Sequence, residues 1–428
     1  MAITDFSGHD YHVDTKTGFM PPRPPPASLP PQWAPWEAAL SVALERQMQP
    51  GDKPGLTEQE KAYSERWRAR IREMPILSTA ELMGSEVNLR RAHHTLTFLA
   101  HFYIHSLPPD APILIPPPIT LPLLQVSAKL QMPPVLTFSD NVLYNWELKD
   151  PRGRPTVENI RSQDLFTGLS DEEEFYLCSA RIELRGVEAL ELMRSTMEQM
   201  RIGDEFALRR ISTFLHRLAE VIKELKTLLL AVRDGCDPET YYTTVRPWFR
   251  GQDSDPKARR WVFQGIERDP SLIQPTELSG PSAGQSSIVH VLDLFLGIQN
   301  RTASGPDKPA FLTRMQSYMP RHHRAFLDAL AAYPHPLREF VQQTEDPELL
   351  EAYNAAVLSL KEFRDSHMII ATLYIISPAR RAAKAKAAAA AAAADAPEEP
   401  PLKGTGGTDL VKFLKDTRDR TRESMIPA

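Results

Sequence analysis

Between about Ala355 and Ile376, the residues Ala356, Leu360, Phe363, His367, Ile370 and Tyr374 recur at steps of three and four. That spacing predicts a helix with one apolar stripe, and it turns the imidazole of His367 into the core. An imidazole in such a place is neutral and hydrogen-bonded, or it binds something. Haem iron favours a ligand of this kind, because a neutral ring nitrogen in a close-packed apolar wall coordinates iron while water is kept out. Periodicity by itself favours a satisfied structural histidine, so the ligand reading needs further support. Arg364, one turn earlier on a neighbouring face, is placed to pair with a carboxylate, whether of a propionate or of the protein.

Other segments have chemistry to offer. Asp293 stands among Leu292, Leu294 and Phe295; a half-buried carboxylate there wants a cation, for which Arg364 is a candidate, and exposure on the outer face of the helix is equally compatible with the pattern. Ser279 to Ser287 reads SGPSAGQSS, which suits either a capped helix start or a close backbone approach to a ligand, since small residues leave room and donors. Gly404 to Asp409 reads GTGGTD without the GK[ST] ending of a phosphate loop, and a hinge or lid fits it better. His101 and His105 lie four apart but lack the acid of an HExxH zinc motif. The adjacent pairs His93, His94 and His322, His323 diverge in direction and are expected at the solvated surface.

These residues must be positioned by helices. Trp36 to about Arg72 looks helical, and Ser78 with Glu81 makes a capping box for the stretch that follows. A proline-dense passage, Pro108 to Pro134, is expected to separate this region from VLTFSDNVLYNWELKDP. Phe175, Ser179, Ile182, Gly186, Ala189, Met193 and Met197 form one stripe; Ile211, Phe214, Leu218, Val221, Leu225, Leu228 and Val232 form another, with Gly235 at its end and Asp237 and Pro238 starting a further helix. Strand signals are scarce, so the expected fold class is all-α, in two domains: a proline-rich arm over 1–36 laid on the surface, a small helical domain over 37–165 and a large one over 166–428. The alanine tract and its flanks, about 379–408, offer no large apolar face and are expected to form a mobile loop. Beyond it Leu410, Phe413 and Leu414 dock a final helix capped by Thr408.

Composition limits the partners. The 428 residues carry 50 basic and 55 acidic side chains, a net charge of −5, which argues against nucleic acid and anionic membranes as partners. The two cysteines, Cys178 and Cys236, are too few for a disulfide framework and fit a reducing cytosol. The N-terminus has no basic start and apolar run of a secretory signal, and Pro112 to Leu124 is too short and proline-broken to span a bilayer. A soluble, cytoplasmic protein is expected.

Taken together, PPVLTFSDNVLYNW (Pro133 to Trp146), FYLCSARIE (Phe175 to Glu183), YYTTVRP (Tyr241 to Pro247), SGPSAGQSSIVHVLDLFLGIQ (Ser279 to Gln299), MQSYMPRHHRAFL (Met315 to Leu327), REFV (Arg338 to Val341), FRDSH (Phe363 to His367) and KGTGGTDLVKFLK (Lys403 to Lys415) resemble the indoleamine 2,3-dioxygenase family in order and spacing. The likeness runs from roughly Val135 to the C-terminus. It implies haem b between a small and a large helical domain, iron held by His367, and insertion of O2 across the indole C2–C3 bond of L-tryptophan or a related indoleamine to give N-formylkynurenine. An electron donor that keeps the iron ferrous is implied with it, and a monomer is expected.

The resemblance assigns further residues. Arg364 would stand near a propionate with Asp293 beside it, and Arg246 would hold the substrate carboxylate. Phe175 matches a ring that packs on the indole, while Phe138 and Val142 fall at pocket positions. Ser179 matches a distal hydroxyl, Ser282, Ala283 and Gly284 match the loop over the haem, and Thr405 belongs to a glycine-rich loop closing on the amino-acid end. Two positions depart from the pattern: Tyr241 stands where a phenylalanine often contacts the substrate, and Asn141 where the mammalian enzymes carry cysteine.

Overall fold

A computed structural model describes residues 8–298, 311–391 and 410–427. Helices dominate it: α1 (Ala34–Glu45), α2 (Glu58–Glu73), α3 (Glu86–His105), α4 (Pro117–Leu130), α5 (Ser170–Arg185), α6 (Val187–Ile202), α7 (Glu205–Gly235), α8 (Pro238–Thr240), α9 (Ser287–Phe295), α10 (Phe311–Gln316), α11 (Arg321–Ala331), α12 (Leu337–Thr344), α13 (Pro347–Ala371), α14 (Ser377–Ala391) and α15 (Leu410–Glu423). The strands described are short. β1 (Ile113–Ile115) pairs in parallel with β4 (Trp261–Phe263), and β2 (Trp146–Leu148) pairs antiparallel with β3 (Ile160–Ser162). The fold is all-α.

The long helix α7 forms the spine, packing chiefly against α13 and α6. Ile211, Leu218, Val221, Leu225 and Val232 of its stripe are buried, Leu215, Ile222 and Leu229 widen it, and Phe214 and Leu228 sit half-buried at its edge. Asp204 caps its start by accepting the Ala207 N–H at 2.8 Å. Asp237 does the same for α8, with Pro238 at the first position.

Several expectations are corrected here. The stripe beginning at Phe175 does not lie on one helix: it breaks at Gly186, between α5 and α6, where a Cβ would come within 2.6 Å of Ile288 Cγ1. Ser78 and Glu81 form no capping box, because a 3-10 turn over Ala80–Gly84 intervenes and Ser85 caps α3 instead. Thr57 and Glu60 make the reciprocal box, at the start of α2, so the helical stretch from Trp36 is in fact two helices. The proline-dense passage contains α4, whose first prolines need no N–H there.

The N-terminal arm docks rather than lying over the surface, since Phe19, Met20, Leu29 and Trp33 are buried and Gln163 donates to Pro25 O at 2.7 Å. Of the expected mobile loop, the portion up to Ala391 is helix α14, where the intrinsic helix preference of alanine prevails over the missing core face. The rest of it, with Thr405, Thr408 and the GTGGTD run, lies outside the described residues. No described helix is long and apolar enough to cross a membrane.

Candidate active site

Phe138, Asn141, Val142, Phe175, Ser179, Tyr241, Ser282, Ala283, Gly284 and His367 line one cavity whose empty space, mouth included, is about 950 Å³. Segments far apart in sequence meet there: 138–142, α5, the turn after α8, the loop before α9, and α13. Arg246 is buried but does not line the cavity; its guanidinium carbon lies 5.5 Å from the Tyr242 ring centroid.

Three π-helical turns shape the walls. They span Ser139–Leu143, Tyr241–Val245 and Thr372–Ile376, each closed by an i→i+5 hydrogen bond. A π-turn inserts one residue into a helix and so changes which side chains face inward. Each of the three delivers lining residues: Asn141 and Val142, Tyr241, then Tyr374 and Ile375. The Phe175 and Tyr241 rings stand 4.2 Å apart at 30°, and Tyr374 meets Tyr241 edge-on at 5.7 Å, which makes an aromatic wall.

His367 occupies the middle of α13, half-buried where it faces the cavity. Neither ring nitrogen has a hydrogen-bond partner among the described residues, whereas the fully buried His93, His94, His101, His290 and His323 all have one. Burial, aided by the Arg364 cation, holds this imidazole down at about 4. It is neutral at physiological pH, the state a metal ligand requires.

Behind it, Arg364 forms a buried ion pair with Asp293 of α9 and donates to Thr421 of α15. Asp293 is fully buried, so the exposed alternative is excluded. The pair clamps the helix carrying His367 to the helix that follows the small-residue loop. Replacing Arg364 with Met, which removes a guanidinium from beside a buried carboxylate, is expected to cost about 3–5 kcal/mol, read as a lowered midpoint in denaturant unfolding.

The loop over Ser279–Ser287 is held from four sides. Gln285 accepts the Phe138 N–H at 2.8 Å and donates to Gly280 O at 3.0 Å, tying the loop to the opposite wall. His290 bonds Gly284 O at 2.8 Å, and His323 meets the Ser287 hydroxyl at 2.9 Å. Gly284 has no room for a side chain without pressing on Phe311 and Met315, at 3.1 and 3.2 Å from a built Cβ.

Glu183 of α5 completes the anchorage. It accepts the Ser286 hydroxyl at 2.5 Å, just before α9. Burial pushes its carboxyl up from 4.5 to about 7 despite that bond. A carboxyl raised in the folded state gives its full stabilisation below the unfolded value and loses it as pH climbs to the folded one. Glu183→Gln should therefore gain on the parent protein between about pH 4.5 and 7, by roughly 3 kcal/mol, and melting temperatures compared at pH 5 and pH 8 check it.

The histidines expected at the surface are inside. Helix α3 is buried on every face over Leu89–Ile104, because α4, α1, β1 and the turns at Ser139–Leu143 and Arg246–Phe249 surround it, and its histidines bond across to those neighbours and to Asp164. His93 contacts the Asp140 carboxylate at 2.7 Å, and His94 spans Asp140 O and Asp164 at 2.8 and 2.9 Å. His101 donates to Trp248 O at 2.8 Å and accepts the Leu136 N–H at 3.2 Å, while His105 bonds Arg250 O at 2.9 Å. His101 and His105 thus hold backbone, not metal. His323 is likewise buried, though His322 is only half so, with its ring stacked on His12 at 3.8 Å.

Comparison with known proteins decides the family. The sequence profile described as indoleamine 2,3-dioxygenase matches residues 7–424. The chain belongs to the indoleamine 2,3-dioxygenase family. It is 31% identical over 418 residues to indoleamine 2,3-dioxygenase 1 of Rattus norvegicus, covering 97% of this chain and 95% of that one. With an indoleamine 2,3-dioxygenase of Aspergillus candidus it shares 33% over 440 residues, covering 99% and 98%. With a 6-hydroxytryptophan 2,3-dioxygenase of Fusarium equiseti it shares 29% over 423 residues, covering 97% of each. The protein is an enzyme of the dioxygenase class to which this haem-dependent family belongs.

Sequence patterning does not single out Tyr176, Phe249 or Phe311, and it gives Ile370, Phe413 and Leu414 only as packing residues, yet all six also line the cavity. Their apolar character is indistinguishable from that of core residues. The histidines of α3 leave one usable signal: AHHTLTFLAHFYIH has no polar face, so any histidine in it must be buried.

Proposed function

We propose that this chain is a haem-dependent dioxygenase that adds both atoms of O2 across the indole C2–C3 bond of L-tryptophan, giving N-formylkynurenine. The observation that carries the reading is His367, a neutral imidazole without a hydrogen-bond partner among the described residues, facing a cavity walled by the aromatic rings of Phe138, Phe175 and Tyr241 and by the small residues Ser282 to Gly284. The surroundings fit haem b: an apolar wall beside the imidazole, and the small residues Ser282, Ala283 and Gly284 that let a flat ring system approach backbone; Arg364, paired with Asp293 and Thr421 outside the cavity lining, would steady the helix that carries His367. Haem bound there, kept ferrous by an electron donor, supplies the O2 activation.

The protein's own part is positioning. Phe175 and Tyr241 give the indole a face to pack on, which fixes its reacting carbon atoms in place. Ser179, one turn along α5 from Phe175, presents a hydroxyl that makes no other bond to a described residue, and it orients rather than transfers a proton. Arg246 would pair with the substrate carboxylate through two charge-assisted bonds, fixing which end of the molecule enters first.

The cavity would then lie between a smaller part ending near residue 165, which supplies Phe138, Asn141 and Val142, and a larger part from residue 166, which supplies the remaining walls. The free, buried cysteines fit a reducing cytoplasm. A second reading, a hydroxylated tryptophan as substrate, is favoured by the phenol of Tyr241 in the wall and by the named activity of the Fusarium equiseti relative. Incubating the reduced, haem-loaded protein with tryptophan and isotopically labelled O2 tests the assignment. Two labelled atoms in formylkynurenine are expected; a single labelled atom, or no product from any tryptophan, would overturn it.

A further inference from the structure

We infer that His93 and His94 each carry a proton on both ring nitrogens and, as buried cations, position the cavity wall at Asp140 for substrate. The positioning half of this inference rests on the reading of the cavity as an indole site; the protonation half does not.

Both rings are buried, and each faces two oxygen atoms that can only accept. His93 Nδ1 lies 2.7 Å from Asp140 Oδ1 and its Nε2 3.1 Å from Pro133 O. His94 Nδ1 lies 2.8 Å from Asp140 O and its Nε2 2.9 Å from Asp164 Oδ2. A neutral imidazole has a single N–H, so its other nitrogen would turn a lone pair on an oxygen lone pair. Only the doubly protonated ring donates to both. His101, two turns along the same helix, shows the contrast: it donates to Trp248 O and accepts the Leu136 N–H, the pattern of a neutral ring.

The acids are ionised, so the protons belong to the rings. Asp140 Oδ2 already accepts the Thr137 N–H at 2.9 Å and the Thr137 hydroxyl at 2.7 Å. Burial works to raise the Asp140 carboxyl, but His93 beside it and the Thr137 bonds hold it below its usual range. Asp164 Oδ2 accepts Arg91 as well, at 2.7 Å, and Arg91 also pairs with Glu37 of α1. Asp140, Asp164 and Glu37 thus bring three negative charges against the one guanidinium of Arg91. Arg90, the neighbouring cation on α3, is turned to Glu86 at 2.9 Å. Two imidazolium rings make the buried cluster neutral, as a low-dielectric interior requires.

Both cations grip one residue, His93 by its side chain and His94 by its backbone. Asp140 belongs to the π-turn over Ser139–Leu143, and its neighbours Phe138, Asn141 and Val142 line the cavity. Gln285 holds Phe138 from the opposite side. Charge-assisted bonds of this kind fix a wall more firmly than neutral ones.

The test begins with nitrogen NMR of the histidine-labelled, haem-loaded protein, kept diamagnetic as the ferrous carbon monoxide complex, at about pH 7. His93 and His94 should each show two protonated ring nitrogens of nearly equal shift, and His101 the widely separated pair of a neutral ring. His93→Gln and His94→Gln assign the signals; contacts with Phe98, whose ring stacks on His94 at 4.4 Å, also identify that ring. In Asp140→Asn, which removes the acid that calls for a cation, the His93 nitrogens should separate. The calorimetric dissociation constant of the ferric, haem-loaded protein for tryptophan should rise about tenfold in the glutamine variants. Affinity for cyanide, which needs only the iron, should stay as in the parent. Asp140→Asn carries the same binding comparison should the glutamine variants not fold. Separated nitrogens in either ring of the parent would overturn the charge assignment, and unchanged tryptophan affinity in the folded variants would overturn the positioning role. Failure of the parent to bind tryptophan would instead remove the indole reading, and the positioning role with it, whatever the nitrogens show.

Discussion

Replacing His367 with alanine is expected to give a folded protein that no longer retains haem, visible as loss of the Soret band after purification and loss of dioxygenase activity. Alanine is a strong helix former, so α13 should persist and far-ultraviolet circular dichroism should be unchanged. Among the described residues His367 is the only histidine lining the cavity, and the described walls hold no cysteine. Two of the tyrosines there have their hydroxyls engaged elsewhere: Tyr374 donates to Cys236 O at 2.6 Å and Tyr176 to Glu172. Tyr241 keeps its proton, because burial pushes its phenol well above the usual range. No neighbour is therefore ready to take over the iron. A His367→Ala protein with an ordinary Soret spectrum would remove the ligand assignment.

Replacing Arg246 with alanine should raise the KM for tryptophan on the order of 10²-fold, the effect of losing a charge-assisted bidentate pairing. Indole compounds without a carboxylate should be nearly unaffected, which separates loss of recognition from general damage. The position of the side chain adds a condition. Arg246 rests over the Tyr242 ring and is not part of the cavity lining, so its guanidinium must turn from that ring to meet a carboxylate. Leaving a desolvated cation–π interaction costs about 2 kcal/mol, which the charge-assisted pair with the carboxylate must offset. An unchanged KM in Arg246→Ala would place the carboxylate elsewhere.

The all-α class and the stripe around His367 were legible because a helix that buries one face must repeat its apolar residues at 3.6-residue spacing. The pairing of Asp293 with Arg364 was legible as one of two options, since an acid in an apolar helix either finds a cation or turns outward. What defeated pattern reading was context supplied by the rest of the chain. The break at Gly186 depends on Ile288, which lies 102 positions later in sequence and presses on the glycine. The histidines of α3 look like surface pairs until the surrounding elements enclose the helix, and their partners are mostly backbone carbonyls, which no sequence pattern marks.

The π-turns carry a consequence for how this cavity can vary. Each holds one residue more than a regular helix of the same reach, and deleting that residue would restore regular winding and rotate the side chains beyond it by about 100°. Phenylalanine-to-tyrosine exchanges alter the lining atom by atom, but a one-codon deletion at 139–143, 241–245 or 372–376 would exchange a whole wall at once. Chain length at three short stretches, as much as side-chain identity, fixes which molecules fit inside.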